Sequence, residues 1–152
     1  MATFKLGINA ALYLGDTDLA TLVGPTDEVW TEVTNIKDVT LNMSKGDADA
    51  TTRANDGWTS TVGTLKDADI SFTLKAQDSD TSFTSLNNSF LNSTTVPLAV
   101  MDGPIATAAN QGLVANCFVT AVNRTESNDD IIWYEITVKP YDQQQWYTVA
   151  AS

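Results

Sequence analysis

The stretch Ile70-Ser71-Phe72-Thr73-Leu74-Lys75-Ala76 alternates apolar and polar side chains without a break. Successive side chains of a strand point to opposite faces, so this segment reads as a strand with one buried face. The same alternation recurs on either side of it. Val39, Leu41 and Met43 alternate with Thr40 and Asn42, and Val96, Leu98 and Val100 form a shorter run. Ile132, Tyr134, Ile136 and Val138 alternate with Trp133, Glu135, Thr137 and Lys139. The segment 113–124 is apolar on both faces: Leu113, Ala115, Cys117, Val119 and Ala121 on one, Val114, Phe118 and Val122 on the other. A strand of that kind belongs at the centre of a sheet or under cover on both sides. Polar residues 126–130 then turn the chain, so 113–124 and 131–139 read as a hairpin.

One helix interrupts the strands. Phe83, Leu86, Phe90 and Leu91 make a single apolar stripe, and Ser79 or Asp80 caps the N-terminus of a helix over about 79–92. A lone helix of that length is marginal in water, so its stripe is expected to pack on a sheet. Ser44–Gly57, SKGDADATTRANDG, has no apolar residue larger than alanine and reads as a long polar loop between strands at 36–43 and 58–65. Connections of that length inside a compact domain are often functional. The first 30 residues and the stretch from Asp142 onward are weakly patterned and are expected to order on assembly.

The 152 residues and 16.4 kDa suit a single domain, residues 1–152, with 22 threonines that favour pleated surfaces. With 19 acidic and 8 basic residues, the net charge of −11 argues against a nucleic-acid binder and against docking to anionic lipid. No histidine is present, which removes Ser-His-Asp and Cys-His catalysis. The single Cys117 allows no intrachain disulfide or thiolate metal cluster. No apolar run reaches membrane-spanning length, and the start of the chain lacks signal-peptide character, so synthesis in a cytoplasm is expected. The aspartate pairs 16/18, 47/49, 67/69 and 78/80 suit acid–base work only if buried, and solvated turns are the simpler reading. A calcium loop starting at Asp47 would need Gly and Glu where Thr52 and Trp58 stand. Trp30, Trp58, Trp133 and Trp146 are read as core or interface anchors before a sugar platform. No cofactor fingerprint, P-loop or nucleophile elbow occurs, so no catalytic, metal or cofactor site is expected.

The central segment has a further character. Ile36-Lys37-Asp38-Val39-Thr40-Leu41 leads into Lys45-Gly46-Asp47-Ala48-Asp49. Then follow Thr51-Thr52-Arg53-Ala54-Asn55-Asp56-Gly57-Trp58, Leu65-Lys66-Asp67-Ala68 and the strand from Ile70. With the helix, Val96-Pro97-Leu98 and the closing hairpin, this resembles the major tail tube proteins of long-tailed bacteriophages and related prophage elements, over roughly residues 30–140. The resemblance implies a β-sandwich or barrel of two packed antiparallel sheets with one flanking helix. It implies hexameric rings that stack into a hollow tube conducting double-stranded DNA without specific binding. It implies a virion-tail location after synthesis in the bacterial host cytoplasm. Partners would be further copies of the chain and the tape-measure, tail terminator and tail tip proteins. By position, loop 44–57 would reach the next ring, with contact roles for Lys45, Asp47, Asp49, Arg53 and Trp58. The inner tube of a contractile tail or injection apparatus shares that fold. A reading of a different class is a carbohydrate-binding β-sandwich with Trp58 or Trp133 on a flat face, and a weaker one is a small acidic hydrolase using an aspartate pair.

Overall fold

The computed structural model describes residues 4–15, 19, 30–126 and 128–150. Among these residues seven strands and one α-helix follow one another: β1 (Ala11–Gly15), β2 (Trp30–Glu32), β3 (Ile36–Asp49), β4 (Thr61–Lys75), α1 (Thr81–Asn92), β5 (Thr95–Met101), β6 (Gln111–Thr125) and β7 (Trp133–Thr148). All pair antiparallel in one sheet of order β2-β1-β5-β6-β7-β4-β3. The two packed sheets expected from sequence are therefore the two halves of one continuous hydrogen-bonded sheet.

The sheet has to curl. β2 and β3 stand at its opposite ends, yet residues 33–35 alone connect them. Six strand spacings of a flat sheet would separate them by about 29 Å. The linker spans at most about 14 Å. It also stitches the two ends together: Val33 N–H donates to Leu12 C=O at 2.8 Å, and Lys75 N–H donates to Asn35 C=O at 2.9 Å. The result is a nearly closed barrel.

Inside lie Leu12 and Leu98 from one half, Ile70, Phe72 and Leu74 from the other, and Val119, Ile136 and Val138 between them. Leu86 of α1 belongs to the same cluster, so the helix packs on the concave side. The other faces of β1, β5 and β6 carry a second cluster of Ala11, Tyr13, Ala99, Met101 and Val114. Ile105 and Val149 pack against it, and Ile105 N–H donates to Tyr13 Oη at 3.2 Å. β6 is thus covered on both faces over its first half, which explains why it shows no apolar–polar alternation. Two prolines occupy tolerant places in the sheet. Pro97 lies beyond the last β1–β5 pair, Leu14–Leu98, and Pro140 lies beyond the last β4–β7 pair, Ile70–Val138. On the sides where those pairings have ended, the missing N–H breaks no ladder bond.

The helix starts where its cap dictates. Asp80 accepts from Ser82 N–H at 3.1 Å and from Asn35 Nδ2 at 2.7 Å. Its inward face differs from the expected stripe. Ser82, Leu86 and Ser89 are buried, whereas Phe90 and Leu91 are exposed. Ser89 turns inward because its hydroxyl donates to Thr94 C=O, and its small side chain admits the helix close to the sheet. Asp80→Ala should cost about 1 kcal/mol, within the usual range for a lost N-cap. Thermal unfolding would register a fall of a few degrees, and an unchanged midpoint would contradict the cap.

Candidate assembly interface

β4 pairs with β7 only as far as Ile70–Val138, but its pairing with β3 continues out to Asp49–Thr61. Residues 42–69 therefore leave the barrel as a two-stranded ribbon with both outer edges unpaired. Eight residues, Asn42 to Asp49, carry it about 27 Å from the body. Its β3 strand is exposed from Asn42 to Asp49 and its β4 strand from Thr61 to Asp67. An isolated two-stranded hairpin is marginal in water, and open strand edges invite pairing. This ribbon adds large apolar groups to the problem: Trp58 is 78% exposed and Leu65 85%, with Met43 and Val62 also outside.

The tip is nonetheless well defined by local bonds. Ala50 N–H donates to Ser60 C=O at 2.8 Å, and Ser60 N–H donates to Thr51 Oγ1 at 2.8 Å. Asp49 accepts from Thr51 N–H at 2.9 Å, and hydrogen bonding from Thr51 holds the Asp49 carboxyl below its ordinary value. Thr52 and Asn55 form a reciprocal capping box, after which Asp56 and Gly57 adopt left-handed φ of 51° and 84°. Trp58 N–H then closes back on Asn55 C=O at 2.9 Å. The tip thus displays an exposed indole on a fixed backbone, with little ordering entropy left to lose on contact.

The expected loop 44–57 is shorter than its sequence implied. Lys45, Asp47 and Asp49 are strand residues of β3, and the true connection is 50–60. Arg53 sits in a 3₁₀ turn at 53–55, and Trp58 follows it. The five residues share one ribbon but not one cluster, since Lys45 lies toward the base and Arg53 and Trp58 at the tip. Sequence reasoning missed Met43, Val62, Leu65 and Lys66 as parts of this surface. Large apolar side chains in an otherwise polar ribbon were the available signal.

The remaining sequence candidates separate. Asp67 lies 4.0 Å from Lys139, Asp69 accepts from Asn42 Nδ2 at 3.2 Å, and Asp80 is the helix cap. Asp16 and Asp18 lie outside the described residues. Among the described residues, no group of three or more acidic or cysteine side chains is placed to hold a metal ion. Cys117 is buried, and burial pushes its thiol up to about 12. The tryptophans are dispersed. Trp30 packs against the second cluster, Trp133 lies under Lys37 at 5.3 Å, and Trp146 donates to Gln111 Oε1 at 2.8 Å. Trp133 and Trp146 stand near opposite ends of β7 (Trp133–Thr148).

The antiparallel sheet with one helix matches the fold of phage tail tube proteins. Over 95% of this chain and all of the other, it matches a chain from the tail of an empty gene transfer agent particle with C6 symmetry. The TM-score there is 0.71 at 15% identity. The SPP1 tail tube matches with a TM-score of 0.69 at 8% identity, over 96% of this chain and 80% of that one. A chain of the sheath–tube complex of the extracellular contractile injection system PVC matches at 0.61 and 14%, over 93% and 89%. No protein-family model matches the sequence, and no curated protein matches it. At these identities the fold is what is shared.

Proposed function

We propose that the chain is a structural tail tube subunit whose hexameric rings stack into a hollow conduit for double-stranded DNA. The observation that carries this reading is the exposed ribbon 42–69. A ribbon with two open edges and an exposed tryptophan is poorly suited to a solitary molecule. In a stack of identical rings the same features become contacts. Lys45, Asp47, Asp49, Arg53 and Trp58 are the residues we assign to contacts between copies. The chain acts without catalysis. Its partners are further copies of itself and the tape-measure, terminator and tip proteins of a virion tail assembled in the bacterial host.

The surface we assign to the lumen is the polar face of β3, β4 and β7. Thr40, Ser71, Thr73 and Thr137 alternate there with the core residues, accompanied by Asp69 and Glu135. The same face carries Lys75 and Lys139, the latter 4.0 Å from Asp67, and a lining in which scattered lysines stand among hydroxyls and carboxylates holds phosphates weakly, so DNA slides. The resemblance to both a siphophage tube and a contractile injection system leaves the contractile inner tube as a variant of this reading, distinguished by a companion sheath.

The test is negative-stain electron microscopy of the purified chain across concentration and salt. Hollow tubes or six-fold rings are expected, forming faster at high salt because each subunit carries a charge of −11. Monodisperse small particles under every condition would sink the reading. Faster growth at low salt would sink the repulsion argument alone.

A further inference from the structure

Where β4 and β7 diverge, a groove of about 730 Å³ opens between the base of the ribbon and the second half of β7. Met43, Leu113, Pro140 and Trp146 give it an apolar floor and wall, and Lys45, Lys66 and Asp67 line its ribbon side, Asp67 lying 4.0 Å from Lys139. We propose that this groove is the receptor for the ribbon tip of a second copy, with Trp58 seated on the apolar floor and the tip carboxylates against Lys45 and Lys66. The proposal rests on the tube reading and names the surface on which the ribbon acts.

Three observations carry it. First, Lys45 and Lys66 are directly opposed across the β3–β4 ladder, an arrangement that like charges disfavour. Among the described residues neither has an ion-pair partner, although the chain carries 19 acidic residues against 8 basic. The aliphatic stem of Lys45 is laid over Gly63, where a Cβ would come within 2.7 Å of Lys45 Cδ. Second, the tip supplies the complement: Asp49 and Asp56 flank Trp58 and outnumber Arg53. Third, two large apolar side chains of the groove are uncovered in the single chain, Met43 at 57% exposed and Trp146 at 51%. Covering such side chains is favourable, and an incoming indole supplies apolar surface of the right kind.

The occupant has to come from another molecule. The tip stands at the far end of a stiff ribbon and cannot fold back to its own base. Tip-to-base contact is heterologous, and such contacts propagate without a built-in end. A socket at the base and a plug at the tip thus yield a stack by repetition of one contact.

The experiment mixes ¹⁴N- and ¹⁵N-labelled chain, lets it assemble, and treats it with a zero-length carbodiimide that joins amines to carboxylates. Mixed-isotope peptide pairs linking Lys45 or Lys66 to Asp49 or Asp56 are expected. The charge-reversed variant K45E/K66E should stay folded, since both side chains lie on the exposed ribbon, and should need at least about tenfold more protein to assemble. Wild-type tubes whose tip peptides cross-link only to other surfaces, or K45E/K66E tubes at the wild-type concentration, would overturn the socket and leave the tube reading standing. Failure of the wild-type chain to assemble at all would overturn both.

Discussion

Trp58→Ala is expected to abolish tube formation at concentrations where the wild-type chain assembles, while leaving the free subunit as stable as before. The indole is 78% exposed in the single chain, so its removal takes little from the fold. Exposed substitutions of this kind usually change stability by no more than about 0.5 kcal/mol. On assembly the balance reverses. Tryptophans at the centre of an interface are among its dominant contributors, at roughly 2–4 kcal/mol each on truncation. That corresponds to an increase in the assembly concentration of about 30- to 1000-fold. The tip backbone is fixed by its own hydrogen bonds, so the effect should follow the side chain and not a collapse of the loop. Trp58→Phe keeps an aromatic plug and should retain most of the activity. Sedimentation across a concentration series, with circular dichroism as the folding control, reads both quantities. Wild-type assembly by Trp58→Ala would remove the tip from the interface.

The ribbon is also where the sequence was hardest to read, for a physical reason. Alternation reveals a strand only when one of its faces is buried. Val39, Leu41, Ile70, Phe72 and Leu74 met that condition, and β3 and β4 were legible wherever they line the barrel. From Asn42 to Asp67 the same strands are wet nearly all round, so the pattern vanished and a strand passed for a loop. The opposite extreme hid β1. Ala11 to Leu14 are buried on both sides, and five residues without alternation do not announce a strand. The second half of β7 was obscured by Pro140, which sits at an irregularity where Cys117 faces Pro140 and Asn116 faces Asp142.

The curl of the sheet was implied by the resemblance but absent from the residue pattern, for a different reason. It depends on residues 33–35 joining strands from opposite edges, and edge order is a property of long-range pairing that no local window contains. The helix lay between these cases. Its position and its Asp80 cap were legible, but its buried face was not. Ser89 is buried for its small size and its bond to Thr94, and a hydrophobicity pattern does not weigh such reasons. The polar segment did mark the exposed ribbon, with a boundary error of several residues. What it concealed was that its charged residues ride on a rigid ladder, which fixes where Lys45 stands relative to Lys66.

That ladder depends on the body that holds it, and the body has one point of extreme sensitivity. Gly112→Ala is expected to destabilise the subunit by about 4 kcal/mol or more, among the largest effects a single methyl group can have. Gly112 faces Met101 across β5–β6 and Tyr147 across β6–β7. A Cβ there would lie 1.7 Å from Val100 C=O, with the rest of the Val100 peptide close behind. Overpacking in a core is usually relieved by rotamer changes, at about 1–3 kcal/mol. Here the obstacle is backbone, so relief requires β5 and β6 to part and to surrender hydrogen bonds buried on both faces. For a domain of this size each kcal/mol lowers the unfolding midpoint by roughly 2–4 °C, giving a drop of about 8–16 °C. Gly7→Ala is the control, because nothing lies within 4 Å of the Cβ it would add, and its midpoint should stay within about 2 °C of wild type. A midpoint for Gly112→Ala as close to wild type would mean that β5 and β6 are paired in a different register. The core face of β6 would then change, and with it the position of β7 and the groove beside the ribbon.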